Sequence, residues 1–173
     1  KNFNTALTAL NYLSDKKIDN KSIQQGFKNV ISNTGIQGRW QFISEKPKIL
    51  LDIGHNKEGL SLIVEQLQNL TFNKLHIVLG FVKGKNVNEL ISLFPEEATI
   101  YLSTPKIQRG YPLESLKADL TDSKRKINYF DTVVESFQYA NSKVFKNDLV
   151  LVCGSTFVVA EILSFLKHTF QDT

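Results

Sequence analysis

Lys48-Ile-Leu-Leu-Asp-Ile-Gly-His-Asn-Lys-Glu-Gly59 is the stretch on which the reading of this chain turns. Residues 48–51 form a short apolar run with the character of a buried strand. Asp52-Ile-Gly-His-Asn56 is a polar turn. Beyond it, apolar residues recur at Leu60, Ile63, Val64, Leu67 and Leu70, close to the helical period. A short apolar run, turn residues, then a 3.6-residue period predicts a parallel strand feeding a helix. Ligands of such units collect where the carboxyl end of the strand meets the amino end of the helix. Here that place holds a carboxylate, an imidazole and an amide.

Working outward, the same alternation repeats. Strands are predicted at 39–45, 48–51, 74–79, 98–102, 127–130 and 149–152. Helices are predicted at 58–70, 87–94, 112–119, 132–141 and 156–167, with Thr132 and Glu135 at capping-box spacing. Strand and helix in alternation imply an α/β, Rossmann-like fold: a mostly parallel six-stranded sheet with helices on both faces. The strand at 39–45 has no crossover helix before Lys48, so it is the antiparallel edge strand. Two short helices precede the sheet. One covers 4–13, capped by Asn2 or Asn4; the other covers 19–31, with Ile23, Phe27, Val30 and Ile31 inward. Two such helices cannot bury their faces alone. Asn33-Thr-Gly-Ile-Gln-Gly38, with two glycines, reads as a linker, and the division expected is 1–37 and 38–173.

Bulk properties exclude several classes. The chain has 173 residues, 42% of them apolar and 22% charged, as in a globular protein. No run approaches the eighteen or so apolar residues of a membrane helix. Residues 1–13 lack a secretory apolar core, and one cysteine excludes an internal disulfide, so a cytoplasmic protein without membrane attachment is expected. The charge of +4 suits anionic small molecules. The Lys-Arg-Lys group at 124–126 has no interleaved aromatics, so no nucleic-acid partner is expected.

Two strand ends carry the candidate chemistry. At the first, Asp52 can orient a ribose hydroxyl or a cation's water, and His55 can bind a carboxylate near a helix amino terminus. The structural alternative is a turn in which Asp52 and Asn56 satisfy backbone groups and Gly54 supplies a positive φ. At the second, Val150-Leu-Val-Cys-Gly-Ser-Thr156, Gly154 permits close approach of a ligand, and Ser155 and Thr156 offer hydroxyls and free amides. Here the alternative is a plain serine cap. Adjacent strands would merge both ends into one cleft. Cys153 reads as a small core residue, and His76 and His168 as structural or solvated. Three scattered histidines do not make a metal cluster. Gly80 to Asn86 does not match the spacing of a phosphate loop, and no such loop occurs in the sequence.

Gly38-Arg39, Leu51-Asp-Ile-Gly-His-Asn-Lys-Glu-Gly59, and Val152-Cys-Gly-Ser155 before Phe-Val-Val-Ala-Glu161 together resemble the carboxyl-terminal third of the folylpolyglutamate synthase/dihydrofolate synthase family, within the Mur ligase superfamily. Asn2-Phe-Asn-Thr-Ala-Leu7 resembles the helix that ends the family's central ATPase domain. The family turn usually reads Asp-Gly-Ala-His-Asn-Pro; here Ile53-Gly54 replace Gly-Ala and Lys57 replaces Pro. The loop after Gly80 usually carries Asp-Lys-Asp, against Gly84-Lys85-Asn86 here. The resemblance implies an ATP-dependent ligase joining L-glutamate to a pteroate or folate carboxylate through an acyl phosphate. It implies that Asn2, Arg39 and Asp52 contact ATP, that His55 and Ser155 hold glutamate, and that no residue of this chain is itself catalytic. Mg2+ and the phosphate loop would belong mainly to an amino-terminal domain, so a fragment inactive by itself is expected. The alternatives are a cell-wall Mur-type amino-acid ligase and a non-catalytic α/β binding module.

Overall fold

The computed structural model describes residues 2–13 and 18–171. The chain divides between Gln37 and Gly38 into two compact units. The first contains α1 (Asn2–Leu13), α2 (Asn20–Lys28) and α3 (Val30–Thr34). Asn4 lies inside α1, where its carbonyl accepts the Thr8 hydroxyl, and so does not cap it. Asp19 caps α2 by accepting the Ser22 N–H at 2.7 Å. The helix expected over 19–31 is two helices. Asn29, at φ −102° and ψ 17°, leaves the helical region and resets the rotational phase. Phe27 still turns inward, its ring 4.5 Å from that of Phe3. Val30 and Ile31, expected inward, are 42% and 59% exposed.

The second unit is a six-stranded sheet. Its strands are β1 (Gln41–Glu45), β2 (Lys48–Leu51), β3 (Leu75–Gly80), β4 (Thr99–Ser103), β5 (Ile127–Phe130) and β6 (Leu149–Cys153), in the order β1-β2-β6-β3-β4-β5. Only the β1–β2 pair is antiparallel, and it lies at an edge as expected. The tight turn between them contains a cis Lys46–Pro47 bond. β1 starts two residues later than the sequence implies, because Trp40 takes a left-handed φ of 46° that cannot join a ladder. In register, Leu51 lies beside Val152, and Leu79 beside Cys153. The carboxyl ends of β2, β6 and β3 are therefore level.

Five helices cover the sheet. On one face, Leu50, Ile77, Leu79, Leu151 and Cys153 meet α4 (Lys57–Leu67), α5 (Val87–Ser92) and α6 (Leu113–Asp119). On the other, Leu51, Val78, Val150 and Val152 meet α7 (Val133–Lys143) and α8 (Thr156–Gln171). This two-sided burial is why β6 is wholly apolar rather than alternating. The capping box at Thr132 and Glu135 is present on α7. None of the described helices is long and apolar enough to cross a membrane.

Leu151 is fully buried in the middle of β6. Leu151→Ala is expected to cost about 2–5 kcal/mol, read as a lower urea midpoint at unchanged m-value. Thr132→Ala, which removes the box from α7, is expected to cost about 1 kcal/mol.

Candidate functional site at the carboxyl edge of the sheet

The turns after β2 and β6 are joined directly. Asp52 N–H donates to the Val152 carbonyl at 3.0 Å and continues the ladder, and Gly154 N–H donates to the Gly54 carbonyl at 2.9 Å beyond it. His55 and Ser155 each follow one residue after this last bond. The same edge therefore carries both.

Asp52 organises the first turn. Its Oδ1 accepts the Gly54 N–H at 2.8 Å, and its Oδ2 accepts the Trp40 N–H at 2.9 Å. The second bond holds the left-handed Trp40 in place. Ile53 N–H donates to the Gly38 carbonyl at 2.8 Å, and Gly38 N–H donates to Gln41 Oε1 at 2.8 Å. The segment from Gly38 to Trp40 is thus fastened to the β2 turn at two points. Arg39 between them is exposed, and its guanidinium has no hydrogen-bond or ion-pair partner among the described residues. Trp40 is the member of this group that sequence reasoning placed wrongly, as an ordinary strand residue. The preceding Gly38, itself at φ 72°, was the available signal of a left-handed bend.

His55 is exposed, and its Nδ1 lies 3.0 Å from the Ile53 carbonyl. A carbonyl only accepts, so Nδ1 carries the hydrogen and Nε2 is left open. Asn56 caps α4 by accepting the Gly59 N–H at 2.9 Å. Ser155 is 4% exposed, and its Oγ accepts the Val158 N–H at 3.1 Å. It is thus a serine cap of α8, with its hydroxyl hydrogen not committed by that bond.

The glycines act differently from expectation. Gly54 has no positive φ. A Cβ there would lie 2.6 Å from Ile63 Cδ1 and 3.2 Å from Asp52 Oδ1, so closeness to α4 and to its own clamp requires glycine. Gly154 does have a positive φ, of 101°, and a Cβ would stand 2.8 Å from the Gly80 carbonyl oxygen. What approaches Gly154 is the end of β3, not open space for a ligand. The departures around α4 and α5 also have local roles. Lys57 Nζ pairs with Glu89 Oε1 at 2.7 Å, a solvent-exposed contact of small energetic weight. Asn86 caps α5 by accepting the Glu89 N–H. Asn2 starts α1, and its side chain lies outside those described. Cys153 is wholly buried; burial first, then the nearby Asp52 charge, pushes its thiol well above the usual range. It is a core residue, as its sequence context implied.

Three outcomes test this geometry. Gly54→Ala is expected to cost about 1–3 kcal/mol, and Ile63→Val in the same chain should recover part of that through a favourable coupling in a double-mutant cycle. Gly154→Ala should cost more, above about 3 kcal/mol, because backbone strain and a carbonyl contact cannot be relieved by trimming a side chain. At pH 8, Cys153 should resist iodoacetamide in the folded chain and react once urea unfolds it, as followed by mass spectrometry.

With this geometry in hand, comparison with known proteins is informative. The family described as Mur ligase, glutamate ligase domain, matches residues 38–156. A dihydrofolate synthase/folylpolyglutamate synthase of Buchnera aphidicola subsp. Baizongia pistaciae is 29% identical over 167 residues, covering 95% of this chain and 38% of that protein. The chain therefore spans under two fifths of that relative's length. E. coli FolC in complex with ADP superposes with a TM-score of 0.82 at 24% identity, over 98% of this chain and 40% of that one, a likeness of fold. A bifunctional folylpolyglutamate synthase/dihydrofolate synthase with Mn, AMPPNP and L-glutamate bound superposes at 0.78 with 26% identity, over 94% of this chain and 38% of that one. The matched family region takes in both turns, and its fold is the one built here strand by strand: the chain belongs to the Mur ligase family, as a glutamate ligase domain.

Proposed function

We propose that this chain is the glutamate-receiving part of an ATP-dependent ligase that joins L-glutamate to the carboxylate of a pteroate or folate substrate. The observation that carries the reading is the joined pair of turns, with His55 and Ser155 just beyond the Gly154–Gly54 bond. Support comes from the relatives, whose names are those of folate-dependent glutamate ligases, and from one solved relative that holds a nucleotide and L-glutamate.

In this reading, Nδ1–H of His55 stays on the Ile53 carbonyl, and Nε2 donates to the glutamate carboxylate when the ring carries both hydrogens. The amino end of α8 and the Ser155 hydroxyl hydrogen add to that. Arg39, without a partner among the described residues, receives phosphate oxygens of ATP. Asp52 keeps lone pairs beyond those used by Trp40 and Gly54 and takes a nucleotide hydroxyl. Residues 1–37 are the end of the central ATPase domain, and 38–173 the glutamate ligase domain. The reaction transfers the terminal phosphoryl group of ATP to the folate carboxylate, releasing ADP. The glutamate amine then attacks the acyl carbon and loses a proton, and the carbon–oxygen bond to phosphate breaks. Mg2+ supplies charge neutralisation at the phosphates when bound. Among the described residues no group of three or more His, Cys, Asp or Glu could hold a cation. The site of action is the cytoplasm.

The test uses the whole ligase that contains this chain. His55→Ala should raise the KM for glutamate at least tenfold while leaving the KM for ATP nearly unchanged, and an unchanged glutamate KM would overturn the assignment. Dihydropteroate should be turned over and a uridine-linked cell-wall precursor should not; the reverse preference selects a cell-wall ligase. The chain purified alone should show no ATP turnover.

A further inference from the structure

The opposite edge of the sheet, where the parallel strands begin, has a chemistry that the ligase reading does not use. Between the starts of β3, β4 and β5 and the last turn of α7 lies a cavity of about 210 Å³. At about 30 Å³ per water that is room for roughly seven waters. Lys74, Lys126 and Lys143 line it, with His76, Tyr101 and Tyr139. No carboxylate is among its lining residues, and none of the three lysines has an ion-pair partner among the described residues. The Lys143 ammonium stands 5.0 Å from the centre of the Tyr139 ring, which positions its charge without cancelling it.

His76 is the second observation. It is 5% exposed, and its buried Nε2 has no hydrogen-bond partner. Its Nδ1 lies 2.9 Å from the Tyr101 hydroxyl, and Asp148 Oδ2 stands 3.5 Å from Nε2. That carboxylate, itself 2% exposed and already accepting the Phe145 N–H, favours the hydrogen on Nε2. Nδ1 then accepts from the Tyr101 O–H. A neighbouring cavity of about 380 Å³, lined by Lys46, Lys48 and Lys146, lacks these features: Glu45 offsets its charge, and Lys48 is spent on the Thr71 carbonyl.

We propose that the cavity at the starts of β3 and β4 binds a tetrahedral oxyanion of the sulfate and phosphate class, held by Lys74, Lys126 and Lys143, with His76 and Tyr101 as a proton-coupled donor pair. When His76 takes a second proton, Nδ1–H donates to the Tyr101 oxygen, and the Tyr101 hydroxyl hydrogen is released to point at the anion. Burial lowers the affinity of His76 for that proton; Asp148 raises it, and the Lys74 and Lys126 charges lower it again. A bound anion cancels the lysine contribution, so anion and proton bind together. Tyr101, pushed up to about 12 by burial, stays neutral throughout. The sign follows: affinity rises as pH falls below the usual histidine range near ~6.5. The proposal stands independently of the ligase reading.

The experiment titrates the full chain with sodium sulfate at constant ionic strength made up with chloride, following the histidine ring resonances by NMR. Sulfate keeps its charge across the pH range used. His55→Asn and His168→Asn assign His76 by elimination. The expected result is a saturable shift of the His76 resonances, with affinity at least threefold tighter at pH 5.5 than at pH 8. Lys126→Gln with Lys143→Gln, both exposed and tolerant of change, should weaken binding at least tenfold. Lys46→Gln with Lys146→Gln should leave it unchanged. An unmoved His76, or equal loss in the two double variants, would overturn the proposal. Comparing inorganic phosphate with glycerol 3-phosphate in the same assay separates a free ion from a phosphate ester, and saturable binding of either supports the site.

Discussion

The hydrogen bond from the Gly154 amide to the Gly54 carbonyl is the contact on which the arrangement of this domain depends. Parallel strands stay in register only while both are straight. Where each turns into a helix, nothing in the ladder keeps their ends together. Here the ladder is extended past its natural end, by Asp52 on Val152 and then by Gly154 on Gly54, so that α4 and α8 start side by side. That continuation needs two residues without side chains, for two different reasons. Gly54 must let α4 close over it, and Gly154 must turn left-handed against the end of β3.

Asp52 supplies the second constraint. One carboxylate spans an amide of its own turn and an amide twelve residues earlier, tying the entry to β1 to the exit from β2. An edge strand held by one antiparallel partner is otherwise the weakest part of such a sheet. The clamp also keeps Trp40 in a conformation that costs about 1–3 kcal/mol when unsupported. Backbone satisfaction and ligand binding are therefore not rival accounts of this aspartate. A carboxylate immobilised by two N–H donors is better placed to receive a third partner than a free one.

The two edges of the sheet divide the molecule's chemistry. The carboxyl edge is built from amides, helix starts and small residues, the usual setting for an anionic ligand approached by backbone. The amino edge carries lysines at the starts of strands, with a buried histidine between a tyrosine and an aspartate. The substitutions that set this chain apart from its family's usual turn and loop have structural uses: Lys57 bridges to Glu89, and Asn86 caps α5.

Strand and helix placement were legible in the sequence, because burial on both faces forces unbroken apolar runs such as Leu-Val-Leu-Val at 149–152, and amphipathic helices between them repeat at 3.6 residues. The caps at Asp19, Asn56, Thr132 and Ser155 are local events within three residues of chain, and they too can be read from residue types. Other features depended on partners distant in sequence. That Gly154 is demanded by Gly80 and that His76 meets Tyr101 and Asp148 follow from strand order β6-β3-β4, whereas Gly54 answers to α4 closing over its own turn and Trp40 bends onto Asp52 across the β1–β2 pair. Periodicity does not encode that order, because every parallel strand of such a sheet looks alike until tertiary packing assigns its neighbours.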